Sequence, residues 1–191
     1  MEIRSFLAFE LPQEIRRTVS QVSQDMRKSP LDVRWTRVEN MHLTVVFMGN
    51  ISTDQLEGIG KAVTQVCQRY GPYNIFLEGM GVFGGRRNPR VVWIGLEGDL
   101  ERMSIFRDDL QKQLVPFGIK EEKRPFKPHL TLGRFRKGVN AGIDLNEILS
   151  RHQGVTSPQS ALGELVLFKS DLKPGGPIYT KLNEWPLVGT C

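Results

Sequence analysis

Two histidines, each followed two positions later by a threonine, are the side chains of this chain best suited to chemistry. They lie in His42-Leu43-Thr44-Val45 and His129-Leu130-Thr131-Leu132, 87 positions apart, in a chain of 191 residues that holds three histidines. Imidazole titrates near neutral pH, so two rings facing one cleft can supply a neutral base and a protonated acid. That pair suits cleavage of a phosphodiester: the base takes a proton from water while the acid protonates the departing oxygen. The threonine hydroxyls can donate to the non-bridging phosphate oxygens, where transition-state charge is carried. Both runs, HLTVVFMG and HLTLGRFR, read as β-strands, being apolar and β-branched or leucine-rich. Residues i and i+2 of a strand share a face, so each histidine is expected beside its threonine, with Leu43, Val45, Leu130 and Leu132 pointing the other way. One copy would describe an ordinary strand histidine; two copies describe two half-sites.

A metal centre is the natural competitor. Zinc takes three or four protein ligands, but His152 lies outside the pattern, no cysteine cluster exists and no carboxylate sits at a diagnostic spacing. His152 follows Leu145, Ile148 and Leu149 at helical spacing, where it serves a helix C-terminus or its packing. Arg134 follows the second motif and can hold a phosphate by a two-pronged contact. Strict alternation puts it on the face opposite His129, so the strand must end, twist or bulge there. Phe47 has the same parity and reads as a core residue rather than a base-stacking platform. Trp35, Trp93 and Trp185 read as core or lobe-interface residues. Two basic clusters, Arg86, Arg87 and Arg90, and Lys120, Lys123, Arg124 and Lys127, read either as solvated surface or as contacts to an RNA backbone. FGGRRNP lacks the spacing and strand-to-helix context of a nucleotide-binding glycine loop.

The positioning elements follow from the apolar periods. Residues 3–10 form a strand closed by Leu11-Pro12, and Ile15, Val19, Val22 and Met26 then mark one face of a helix. A short extended piece at 33–35 leads into the first histidine strand. Ser52 and Gln55 resemble a capping box ahead of a helix with Leu56, Ile59, Val63 and Val66 on one face. Strands at 73–82 and 90–96 precede a third helix from Asp99 that shows Met103, Phe106, Leu110 and Leu114. Residues 120–128 form a charged loop delivering the second histidine strand. Asp144 caps a short fourth helix, and strands at 162–169 and 178–185 flank the loop SDLKPGGP. Short loops between strands favour an α+β fold with antiparallel sheets over a doubly wound parallel one. The repetition points to two similar lobes with the histidine strands lining the groove between them.

Composition is that of an ordinary globular protein, with 39% hydrophobic and 25% charged residues. The net charge of +5 makes an anionic partner plausible. Cys67 and Cys191 read as free thiols in a reducing cytoplasm. The start, MEIRSFLAFELP, reads as a first strand rather than a signal peptide, and no apolar run reaches the roughly 18 residues that span a bilayer.

HLTVVFMG and PHLTLGR resemble the paired HxTx motifs of the two-histidine phosphoesterases. Within that superfamily the chain is similar to the bacterial and archaeal RNA 2′,3′-cyclic phosphodiesterases, historically called 2′-5′ RNA ligases. The likeness extends over RSFLAFELP, RVVWIGL and LFKSDLKPGGPIYTKLNEWPL. It implies one domain over residues 1–191: a bilobal, pseudo-twofold α+β fold in which each lobe contributes a motif to a central cleft. It implies no metal or other cofactor, and hydrolysis of a terminal 2′,3′-cyclic phosphate to a 2′-phosphate. His42 would be the proton donor and His129 the proton acceptor, with Thr44, Thr131 and Arg134 binding the phosphate. Reversal of the chemistry would join ends through a 2′-5′ linkage. The implied partner is RNA with cyclic phosphate ends, tRNA fragments among them, met by a cytoplasmic monomer without a membrane. Two other readings stay open: an RNA-end-binding module without turnover, and a phosphodiesterase for a small cyclic nucleotide or 2′-5′ oligonucleotide.

Overall fold

A computed structural model describes residues 1–84, 88–136 and 142–190. Among these residues nine strands and four α-helices run in the order β1 (Glu2–Glu10), α1 (Gln13–Arg27), β2 (Val33–Trp35), β3 (His42–Ser52), α2 (Leu56–Cys67), β4 (Tyr73–Phe83), β5 (Val91–Gly98), α3 (Leu100–Leu114), β6 (His129–Phe135), α4 (Gly142–Arg151), β7 (Ser160–Leu162), β8 (Glu164–Lys173) and β9 (Gly176–Pro186). The strands form two sheets with every named pairing antiparallel, ordered β3-β1-β8-β9 and β2-β6-β5-β4-β7. The fold is α+β with a pseudo-twofold arrangement: β3-β1-β8 in one sheet matches β6-β5-β4 in the other.

The lobes are not the two halves of the chain. The fourth strand pairs with β5, and β8, from late in the chain, pairs with β1. Each half thus lends a strand to the other's sheet, and β2 crosses to pair with β6. A duplicated unit that exchanges strands in this way cannot separate into independent halves.

One continuous core lies on the helix-covered faces of both sheets. It takes Ile15, Val19, Val22 and Met26 from α1, Ile59, Val63 and Val66 from α2, and Met103, Phe106, Leu110 and Leu114 from α3, all buried. These are the faces expected from their spacing, except that Leu56 is only partly buried against the core. Leu43 and Val45 of β3, and Leu130 and Leu132 of β6, also enter it. Each such side chain contributes about 2 kcal/mol relative to exposure. The Ser52–Gln55 capping box is present, and opens a turn of 3-10 helix before α2. Three boundaries differ from the sequence reading. The strand expected over 162–169 is divided: Ser160–Leu162 (β7) pairs with β4 in one sheet, and β8 starts at Glu164 in the other. Helix α4 begins at Gly142, so Asp144 lies within it rather than at its cap. Strands β8 and β9 pair as far as Lys173 and Gly176, so most of SDLKPGGP is strand around a tight turn. His152 follows α4, its Nδ1 2.8 Å from the Ile148 carbonyl, in the helix-end role expected of it.

Candidate active site

Both histidines begin their strands, and both are positioned in the same way. His42 Nδ1 lies 2.9 Å from the Asn40 carbonyl, and His129 Nδ1 lies 2.7 Å from the Lys127 carbonyl. A carbonyl oxygen only accepts, so Nδ1 carries the hydrogen in each ring and Nε2 is the nitrogen left for chemistry. His42 and Thr44 are half-buried while Leu43 and Val45 are buried; His129 and Thr131, with Leu130 and Leu132, repeat the pattern. The i, i+2 expectation therefore holds in both strands.

Beyond the threonines the two strands bulge in the same place. Thr44 pairs with Ala8 and Val46 with Leu7, leaving Val45 extra; Thr131 pairs with Trp93 and Gly133 with Val92, leaving Leu132 extra. The extra residue resets the alternation. Arg134 accordingly returns to the His129 face and is exposed, by the bulge its parity demanded. Phe47, the matching position in β3, also turns to the histidine face and is 51% exposed. The expectation of a core Phe47 is thereby corrected: counting alternate residues fails once a strand carries an extra one.

Aromatic walls surround each imidazole. Phe6 stacks on His42 with ring centroids 4.5 Å apart and planes at 23°, and Tyr179 meets it edge-on at 5.1 Å. Phe83 meets His129 edge-on at 4.8 Å, with Trp93 at 6.5 Å. Trp93 reaches this place because residue 81 is glycine; a Cβ there would lie 2.3 Å from the indole Cζ2. Trp185 is a core residue. Burial makes the charged imidazole unfavourable and lowers the His42 pKa to about 4, against the carbonyl's opposing pull. His129 is lowered in the same direction, first by burial and then by the positive charge of Arg134.

Arg134 also links the half-sites. Its charge acts on the Tyr179 hydroxyl as well as on His129, and Tyr179 belongs to the His42 wall in the other sheet. One guanidinium is thus in charge range of groups in both half-sites. Two contacts tie the two sheets together near β2, beside the cleft between them: Arg34 donates to the Pro174 carbonyl at 3.3 Å and Asn40 to the Pro177 carbonyl at 3.1 Å. A cavity of about 160 Å³ opens beside His42, lined by Glu10, Arg16, Glu39, Phe168, Tyr179 and Lys181 among others.

The sequence reading missed the support of the second motif. Arg107 of α3 is 7% exposed and donates to the carbonyls of Glu122 at 3.1 Å and Arg124 at 3.3 Å. Gln111 accepts from the Glu122 amide at 2.6 Å. These contacts hold the irregular segment that presents the Lys127 carbonyl to His129. A buried arginine on the apolar face of α3, one position after Phe106, was the available signal. Of the basic clusters, Arg90, Lys120, Lys123, Arg124 and Lys127 are exposed, with Arg124 paired to Glu122; Arg86 and Arg87 lie outside the described residues. Among the described residues no three His, Cys, Asp or Glu side chains group as metal ligands would, and no helix is long and apolar enough to cross a membrane.

Comparison with known proteins agrees with this fold. The RNA 2′,3′-cyclic phosphodiesterase of Methanothermobacter thermautotrophicus is 34% identical over 187 residues, covering 98% of this chain and all of the relative. That of Thermotoga maritima is 27% identical, covering 98% and 97%. The crystal structure of Escherichia coli LigT with 3′-AMP superposes with a TM-score of 0.77 at 26% identity, covering 98% of this chain and 99% of that one. A Thermus thermophilus structure shares the fold with a TM-score of 0.81 at 23% identity, over 98% and 99% of the two chains. The family model of the LigT-like phosphoesterases matches twice, at residues 9–93 and 95–179, once for each histidine motif, and the chain belongs to that two-histidine family.

Proposed function

We propose that this protein hydrolyses the 2′,3′-cyclic phosphate at an RNA end to a 2′-phosphate, by general acid–base catalysis between His42 and His129. The observation that carries the reading is the matched pair of imidazoles, each with Nδ1 committed to a backbone carbonyl two residues earlier. The full-length relatives named RNA 2′,3′-cyclic phosphodiesterase supply the substrate class. His129 Nε2 takes the proton from the attacking water. His42 Nε2 donates a proton to the 3′-oxygen as its bond to phosphorus breaks. Thr44 and Thr131 donate hydrogen bonds to the non-bridging oxygens, and Arg134 neutralises the charge that builds there. Ligation through a 2′-5′ linkage is the same path reversed, with a 5′-hydroxyl in place of water. The chain acts as one two-lobed unit over residues 1–191, a cytoplasmic monomer that needs no cofactor.

Burial sets a condition on the acid. With its pKa lowered to about 4, His42 is neutral in the unliganded protein at pH 7. The anionic phosphate must raise it on binding, as an opposite charge at hydrogen-bond distance does. The pH profile of kcat/KM, which reports the free enzyme, is therefore a bell whose optimum lies below the ordinary histidine pKa of about 6.5. A rate that rises with pH and never falls would contradict the acid role of His42.

The deciding assay is turnover of a short RNA ending in a 2′,3′-cyclic phosphate, in excess EDTA, by the wild type, His42→Ala and His129→Ala. A 2′-phosphate product from the wild type alone supports the proposal. A 3′-phosphate product overturns the regiochemistry and the acid and base assignment. Binding without turnover makes the protein an RNA-end reader, and loss in EDTA restores a metal site.

A further inference from the structure

The cleft face carries one feature that the proton transfers leave unused. Phe47 occupies the position in β3 that Arg134 occupies in β6, five residues past the histidine and one bulge beyond the threonine. Among the described residues it is the one aromatic in the set of exposed large apolar side chains. Its cross-strand partner is Phe6, the ring stacked on His42, so an aromatic row leads from His42 through Phe6 to the rim. Arg4, on the same face of β1 as Phe6, lies over the Phe47 ring with Cζ 4.6 Å from the centroid. The charge of Arg4 also acts on the Tyr179 hydroxyl beside His42. One guanidinium thus covers the exposed ring while lying in charge range of the wall beside His42.

We propose that Phe47 and Arg4 form a platform for the penultimate nucleotide of the RNA, stacking its base on the Phe47–Arg4 layer while Arg4 meets the phosphate that joins it to the terminal nucleotide. The proposal rests on the RNA-end reading above and extends it to the strand beyond the scissile ring. Single-stranded RNA is held in this manner, by aromatic or guanidinium planes for the bases and cations for the backbone. The placement favours the penultimate rather than the terminal base. Thr44 and Phe47 face Ala8 and Phe6, two positions apart across the bulge and roughly 7 Å at strand rise, a span filled by the ring that carries the cyclic phosphate against the threonines and histidines, so the next base along the strand meets Phe47. A base stacks on any π-face, so the platform selects for a strand of at least two nucleotides and not for sequence.

The test compares a mononucleoside 2′,3′-cyclic phosphate with a tetranucleotide ending in the same group. Phe47→Leu keeps an apolar side chain but removes the ring; it raises KM for the tetranucleotide about tenfold or more, leaves kcat in place and does not change kinetics on the mononucleotide. Phe47→Trp restores the tetranucleotide KM, and Arg4→Gln weakens the tetranucleotide and its salt dependence together. Quenching of a 2-aminopurine at the penultimate position accompanies binding to the wild type and is lost in Phe47→Leu. An equal effect of Phe47→Leu on both substrates, or no effect on either, overturns the platform while leaving the hydrolysis intact. Wild-type failure on both substrates overturns the hydrolysis, and the platform with it.

Discussion

The two half-sites share their backbone and differ in their surroundings. In each, a histidine opens a strand with Nδ1 on the carbonyl two residues back, a threonine follows on the same face, and a bulge one residue later resets the alternation. At the first residue the bulge brings back to the cleft, the halves diverge: Phe47 in one and Arg134 in the other. The imidazoles are walled differently too, His42 face-on against Phe6 and His129 edge-on against Phe83. The backbone geometry that orients the imidazole is common to both. Charge is what distinguishes them, because the second half-site holds a guanidinium on its own strand and the first borrows Arg4 from its neighbour. The difference breaks a symmetry that a phosphate approached from two sides must lose, since one imidazole has to give a proton and the other take it.

The largest effect should come from removing either imidazole. His42→Ala and His129→Ala each lower kcat by 10²- to 10⁴-fold, in the usual range for one positioned acid or base. The double variant loses little more than the worse single one, because the proton transfers act as a unit. Losses that multiply would mean two independent roles. Arg134 comes next. Arg134→Met removes a charge-assisted contact of about 2 kcal/mol and should cost roughly thirty-fold in kcat/KM. Arg134→Lys should fall between, keeping the charge and losing the fork. Full activity in Arg134→Lys would reduce Arg134 to a point charge, and a loss as deep as that of Arg134→Met would put its whole effect in the fork.

How much of this could be read from the residues follows from the same comparison. Histidines and threonines at i, i+2 announce a shared face whatever the rest of the chain does, and helix periods such as Met103, Phe106, Leu110 and Leu114 mark buried faces directly. Phe47 and Arg134 have identical parity on paper. The arginine exposed the contradiction because its charge could not be buried, while the phenylalanine fitted a core reading equally well and concealed it. The exchange of β4 and β8 between sheets was hidden for another reason: pairing partners lie far apart in sequence, and each strand's own pattern is the same in either sheet. Arg107 was masked by its apolar neighbours, though an arginine on a helix face otherwise bound for the core is the mark of a segment tied down from inside.

Arg107 also offers a way to perturb one half-site alone. Arg107→Met preserves the helix packing but removes the donors to the Glu122 and Arg124 carbonyls. Stability should fall by about 1–3 kcal/mol, read as a lower denaturant midpoint. In NMR titration the His129 resonances should shift and broaden as the Lys127 carbonyl loses its anchor, while those of His42 stay in place. Equal changes at both rings would mean that the brace supports the whole cleft rather than its second half.

The most gradual effect is a pH dependence of stability, spread over about two pH units, and it separates the halves by their burial. His42 binds its proton at about pH 4 in the folded protein and near 6.5 when unfolded. Between those values the unfolded chain holds more protons, so the folded state loses stability as pH falls through that window. Full protonation would cost on the order of 3 kcal/mol, and burial of His129 acts in the same direction. His42→Gln, which cannot charge, removes the larger share and should flatten the fall in melting temperature between pH 6.5 and 4.5 more than His129→Gln does. Inorganic phosphate acts in the opposite sense, because an anion between the rings favours their protonation and returns stability to the acid side. If the wild type and His42→Gln lose stability in parallel over that window, the wall of Phe6 and Tyr179 does not desolvate His42, and the two half-sites are electrostatically alike.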